Sequence, residues 1–234
     1  MVSRASADRL RRAQAGIRSL VERDLNSFWG SLNLNRPEAA RDALLEFMPV
    51  LVQSYGESAA AMAADWYDET RAAERVAGRY RAAMVVPDET AAIEATTRRA
   101  AGALWTDAPN DALWMIAGRA GKYALAGARE TVSHSTFRDP AASGWQRITS
   151  PGACNFCTML AGRGAVYKKE TVNFAAHGGA KGGECNCAAV PSWDRNAPEV
   201  DVRLYEASRR TTHMTPEQKA NHNALIQRAI EEYT

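Results

Sequence analysis

Apolar residues recur along most of this chain at helical spacing. In residues 5–30 the stripe is Leu10, Ala13, Ile17, Leu20, Val21, Leu25 and Phe28, which predicts an amphipathic helix. Asn33 to Asn35 interrupt it, and Asn35 with Pro37 and Glu38 has the form of an N-cap with a capping box. The helix that follows places Leu44, Met48, Leu51, Val52 and Tyr55 on one face, with a kink expected at Pro49 and a break at Gly56 and Glu57. A third periodic stretch, residues 58–84, carries Met62, Trp66, Ala73, Ala77 and Tyr80. Pro87-Asp88 ends it and opens a fourth with Ile93, Thr97, Ala100 and Leu104. Thr106, Asp107 and Pro109 open a fifth, with Leu113, Ile116, Ala117, Ala120, Ala124 and Ala128. Gly118, Gly121 and Gly127 lie along that last helix, and so many small residues predict close backbone approach within an ordinary bundle. Trp66, Trp105 and Trp114 are expected in the core.

The pattern changes at Asp139-Pro140. From there to Pro198 the chain is rich in Gly, Pro and Ser and holds short apolar pieces. Residues 145–149 alternate as a strand does, and residues 165–167 and 186–190 are candidates for two more. Thr215, Pro216 and Gln218 then give another capping-box start. Leu225, Ile226, Ala229, Ile230 and Tyr233 form the apolar side of a terminal helix, which would pack back on the body or dock a partner. The predicted fold is mainly α. Residues 1–138 form a helical region, residues 139–198 a small α+β module, and residues 199–234 a linker and C-terminal helix.

Composition narrows the class only modestly. The chain has 234 residues, 46% hydrophobic content and a net charge of +2, ordinary values that imply no strong global electrostatic partner. Arg4, Arg9, Arg11, Arg12 and Arg18 make the start basic, which reads as a solvated helix face or, alternatively, a nucleic-acid contact. No apolar run approaches membrane-spanning length. The first residues have no apolar signal-peptide core, so synthesis in a reducing cytoplasm is expected.

The chemistry lies in the cysteines. All four fall in one stretch: Cys154 and Cys157 as C-x-x-C, Cys185 and Cys187 as C-x-C, with His177 between. Zn²⁺ favours four tetrahedral ligands, with thiolate and imidazole preferred. A C-x-x-C turn converges two thiolates, and residues i and i+2 of a strand share a face. Four of these five residues are the expected ligands of one structural zinc. Disulfides between the pairs, or free thiols, are the alternatives. A loop-rich segment this small lacks apolar area for its own core, and a metal would supply the missing stabilisation.

The residues GWQRITSPGACNFCTMLAGRGAVY, then FAAH, then ECNCAAVP resemble the C-terminal region of phage Mu F-like head-morphogenesis proteins, the minor capsid type of tailed phages infecting actinobacteria. Cys154, Cys157, Leu160, Gly162, His177, Cys185 and Cys187 carry the pattern. The close likeness covers residues 145–191, and the glycine-rich run between His177 and Cys185 is longer than such proteins usually have. The resemblance implies a structural protein of the virion, at the portal vertex or inner head surface, present in the host cytoplasm during assembly. Its implied partners are the portal and the major capsid or scaffold protein, and packaged DNA is a further candidate. Some relatives are labelled capsid maturation proteases.

Catalysis is not expected. There is no G-x-S-x-G elbow and no H-E-x-x-H helix. His134 adjoins Ser135, but adjacent residues do not face each other. Cys157 with His177 as base is the sharpest catalytic alternative, and metal ligation accounts for the same residues and three more. A nucleic-acid-binding zinc module is the other alternative, resting on Arg163, Lys168, Lys169 and Lys181 with Tyr167 and Phe174. Glu170 and Glu184 dilute that charge.

Overall fold

The computed structural model describes residues 2–149, 153, 155–168, 187–196 and 213–231. The chain is mainly helical with one small sheet. In order, the elements are α1 (Arg4–Gly30), α2 (Pro37–Ala73), α3 (Thr90–Ala100), a 3₁₀ turn (Ala101–Trp105), α4 (Asp111–Ala124), α5 (Ala126–Arg138), β1 (Gly144–Ile148), α6 (Asn155–Gly162), β2 (Tyr167–Lys168), β3 (Ala188–Ser192) and α7 (Pro216–Glu231). Two compact units form. The first comprises Met1–Arg11, Thr70–Tyr80 and Thr136–Thr234, and the second Arg12–Glu69 and Arg81–Ser135.

The second unit is a helical bundle around one core. Val21, Leu25 and Trp29 of α1 meet Leu44, Met48, Leu51 and Val52 of α2, together with Ile93, Leu104, Ile116 and Ala120. Leu10, Val21 and Leu25 of the predicted α1 stripe are buried and Ile17 and Phe28 partly so, whereas Leu20 is 40% exposed. Phe28 and Phe47 stack with ring centroids 3.9 Å apart beside this cluster.

Four expectations need correction here. Pro37 does occupy the first position of α2, but Asn35 is not its cap: Arg36 precedes Pro37, and Asn33 Oδ1 accepts the Asn35 amide at 3.1 Å in the turn before. Gly56 does not break α2, which continues to Ala73. The side chain missing from Gly127 lets α5 approach it. A Cβ on Gly127 would stand 2.3 Å from the Gly56 carbonyl oxygen and 3.3 Å from Ala60 Cβ, so the two helices cross almost backbone to backbone. The expected fifth helix is two helices, α4 and α5, separated at Leu125. Arg129 Nη2 donates to the Lys122 carbonyl at 2.6 Å and supplies a side-chain partner at the junction. Finally, Trp66 is buried, but Trp105 is 48% exposed and Trp114 74% exposed. Trp105 packs at the surface, its indole N–H donating to Glu38 and the Arg41 guanidinium over its ring.

The periodicity that predicted helix as far as residue 84 is overridden at the end of α2. Arg75 takes the left-handed conformation, φ 53°. The Val76 amide then donates to the Arg71 carbonyl and the Arg75 amide to the Ala72 carbonyl, the two bonds of a Schellman stop. The Arg71 side chain completes the first unit's central knot. Its Nη2 donates to Ala77 O at 2.9 Å, its Nη1 to Gly78 O at 3.0 Å, and its Nε to Asp139 Oδ2 at 2.9 Å. Asp139 also accepts from Trp193 Nε1 at 2.8 Å and from the Ala141 amide at 2.9 Å. Ser6 and Thr70 share a 2.8 Å hydroxyl hydrogen bond in the same unit, and Arg11 reaches both Asp8 and the Ile148 carbonyl.

The sheet has the order β2-β1-β3. Both pairings are antiparallel: Trp145 lies opposite Tyr167 on one side and Pro191 on the other, and Arg147 opposite Ala189. β1 matches the strand predicted from alternation; β2 shares only Tyr167 with the candidate at 165–167, and β3 overlaps the candidate at 186–190 from Ala188 to Val190. A Cβ on Gly144 would stand 2.2 Å from the Tyr167 carbonyl oxygen, so glycine permits the β1–β2 approach.

α7 opens with the predicted capping box. Gln218 N donates to Thr215 Oγ1 at 3.2 Å, and Thr215 N donates to Gln218 Oε1 at 2.9 Å. The helix touches α6 yet leaves Leu225 38% exposed. Thr215→Ala is expected to cost about 1 kcal/mol of local helix stability. Faster hydrogen exchange in the first turn of α7, with the α2 amides unchanged, is the readout.

Candidate functional site

The first unit brings α6 and the start of β3 to one face of the sheet. Trp145 and Arg147 alternate with Gln146, so they share a face of β1, and their partners Tyr167, Pro191 and Ala189 lie on that same face. Two residues before Ala189, Cys187 keeps its parity. α6 covers this face, because Tyr167 Oη donates to the Leu160 carbonyl at 3.1 Å. Cys157, in the first turn of α6, is fully buried, and Cys187 is half-buried. Two of the five candidate ligands are therefore set on elements that meet on one sheet face. Cys154, His177 and Cys185 lie outside the described residues. Among the described residues, no three His, Cys, Asp or Glu side chains are grouped to hold a metal.

An aromatic and cationic stack lies on the same sheet face. The Trp145 and Tyr167 rings lie 4.4 Å apart at 24°. Arg147 sits over Trp145 at 5.8 Å and Arg163 over Tyr167 at 5.4 Å. Burial pushes the Tyr167 hydroxyl pKa up, and the two guanidiniums offset only part of that rise. Arg147 is 8% exposed. Its Nη1 makes a long contact of 3.5 Å with the Cys187 carbonyl, and its buried Nε has no hydrogen-bond partner. Sequence reasoning did not single out Arg147. The signal was present, since an Arg two residues from a Trp on a central strand must share its face.

A model of the VG15 protein family matches residues 1–211, which takes in both units and every cysteine. The chain belongs to the VG15 protein family. No curated protein and no solved structure gives a significant match. VG15 proteins are phage-associated, and this is a phage protein. The VG15 match ends before α7 begins, so the terminal helix lies beyond the part held in common with the family.

Elsewhere in this VG15 protein the candidate chemistry is sparse. His134 is half-buried on α5, and its Nδ1 and the neighbouring Ser135 hydroxyl are each without a hydrogen-bond partner, so the two are not linked. His213 is exposed and His222 half-buried. A shallow cleft of about 380 Å³ on the second unit is lined by Pro49, Val50, Gln53, Ser54, Glu57 and Thr90, a set with no cysteine or histidine. Among the described residues, no helix is long and apolar enough to cross a membrane.

Proposed function

We propose that this phage protein is a minor capsid component that acts in head morphogenesis, bound to the portal or to the inner capsid. A structural Zn²⁺ held by four of Cys154, Cys157, His177, Cys185 and Cys187 staples its cysteine module. The observation that carries this reading is the placement of Cys157 and Cys187 on elements packed over one sheet face, inside the segment that resembles Mu F-like proteins. The thiol donor set and the small apolar area around it fit a closed structural site, where no coordination position is left open for chemistry. The protein works by binding. Complete burial of Cys157 also argues against it as a nucleophile, since a thiolate must reach its substrate.

Quantitative mass spectrometry of purified particles from the phage that encodes this chain tests the reading. The expected result is peptides from both α1 and α7 in mature heads, at low copy relative to the major capsid protein. Absence from mature heads, with the major capsid protein cleaved at a defined site, would replace it with a maturation protease.

A further inference from the structure

One side of α4 meets the core of the second unit, where Ala112, Ile116, Ala120 and Ala124 are buried. Its other side is not the polar face that a bundle helix normally shows to water. Trp114 is 74% exposed and Met115 46% exposed. Among the described residues no hydrogen bond or ring contact engages the Trp114 indole. Trp105, by contrast, is held at the surface by Glu38 and Arg41. An unheld tryptophan beside a methionine has the character of an interface anchor, since Trp, Met and Arg are enriched where proteins meet.

The charges along this face select the occupant. Asp111, Trp114, Met115, Gly118 and Lys122 follow the i, i+3, i+4, i+7, i+11 spacing of one helix face. An acid opens the face, a lysine closes it, and an aromatic ring and a notch lie between. A Cβ on Gly118 would meet nothing within 4 Å, so the backbone there is open to close approach. This order is complementary to its own reverse. In an antiparallel two-fold pair centred at the height of Ile116 and Ala117, each Asp111 stands opposite Lys122 of the second copy. Each Trp114 stands opposite the stretch from Gly118 to Gly121, where the Arg18 side chain rests against Gly121. The ring then fills the notch and meets a guanidinium. Every favourable contact occurs twice, as isologous pairing requires. The helix dipole accounts for an acid first and a lysine last, but not for the exposed indole and the notch between them. We propose that the outer face of α4 is a self-association surface, whose occupant is α4 of a second copy of this chain, antiparallel to the first. This needs neither the zinc nor the capsid reading. With 14 residues α4 is about 21 Å long, so the contact falls at the small end of protein interfaces and the dimer is weak and reversible.

Sedimentation equilibrium of the full chain tests this, with reductant present so that cysteine cross-links do not contribute. The wild type should show a monomer–dimer equilibrium. Trp114→Ser should weaken dimerisation by about 30-fold or more, the effect of losing an interface anchor. Asp111→Lys and Lys122→Asp should each weaken it, because like charges then face each other. The combined Asp111→Lys/Lys122→Asp protein should recover most of the wild-type affinity, because the swapped face is again self-complementary. Damage to the helix cannot produce that recovery: both changes oppose the α4 dipole, so their damage would add. A wild type that is monomeric at every concentration overturns the proposal and leaves the face to a different protein. A dimer untouched by Trp114→Ser overturns it as well. A dimer weakened by Trp114→Ser but not restored by the charge swap overturns the antiparallel pairing. If circular dichroism shows the combined protein unfolded, Trp114→Ser alone decides.

Discussion

Asp139→Asn is expected to destabilise the protein by roughly 3–5 kcal/mol, the usual cost of leaving one member of a buried ion pair without its partner. Asp139 is fully buried and Arg71 nearly so. The substitution keeps the shape and removes the charge, so the Arg71 guanidinium would remain buried against an amide. The knot is more than a pair, because Arg71 also collects the carbonyls that follow α2, and Trp193 and Ala141 both donate to Asp139. Arg71→Met should therefore cost at least as much, and the double variant less than the sum of the two. The pH dependence has a definite sign. Burial alone would raise the Asp139 pKa, but hydrogen bonds from Arg71, Trp193 and the Ala141 amide outweigh burial and hold it below the ordinary 3.8. A lowered folded-state pKa contributes stability that is fully present above the unfolded value and is lost as pH falls through the folded one. Urea unfolding of wild type and Asp139→Asn should thus show a wide gap at neutral pH that narrows below about pH 4. An equal gap at pH 3 and pH 7 would contradict this.

Two glycine substitutions should have opposite effects. Gly127→Ala is expected to cost about 1–3 kcal/mol, because the new Cβ meets the Gly56 backbone at 2.3 Å and neither helix can yield locally. Gly118→Ala, on the exposed side of α4 with nothing within 4 Å of the new Cβ, should stabilise by up to about 1 kcal/mol through helix propensity alone. Thermal unfolding of the two variants beside wild type is the check, and shifts of the same sign would remove the proposed α2–α5 crossing. Gly121 lies between these cases: its Cβ would press on the flexible Arg18 side chain at 3.2 Å.

Those glycines also show where the sequence was legible. Helical periodicity located α1 and the core faces of α2 and α3, because burial of one stripe is a local property of the pattern. It misjudged Gly56, since whether a glycine breaks a helix or admits a neighbour depends on Gly127, far along the chain. The end of α2 was equally hidden. A helix stop usually shows glycine in the left-handed position, and here Arg75 occupies it while Arg71 secures the following carbonyls. Strand positions were readable from alternation, but the meaning of β1 was not. Trp-Gln-Arg-Ile suggests one dry and one wet face, yet all but Ile148 of β1 is buried. The cysteine spacing named the candidate ligands. That α6, which carries Cys157, covers the sheet face next to Cys187 needed the register of β1 and the bond from Tyr167 to Leu160.

Pro191 lies within β3, at an edge of the sheet, and among the described residues β3 pairs with β1 alone. Proline has no amide hydrogen to offer and is tolerated in sheets at such margins. The outer rim of β3 is therefore a poor template for a strand from another molecule, and β2, at the opposite rim, is only two residues long. Even at very high local concentration, copies of this protein should not zip together into continuous ribbons. A contact made at these two rims would have to use side chains, which can be counted, saturated and reversed.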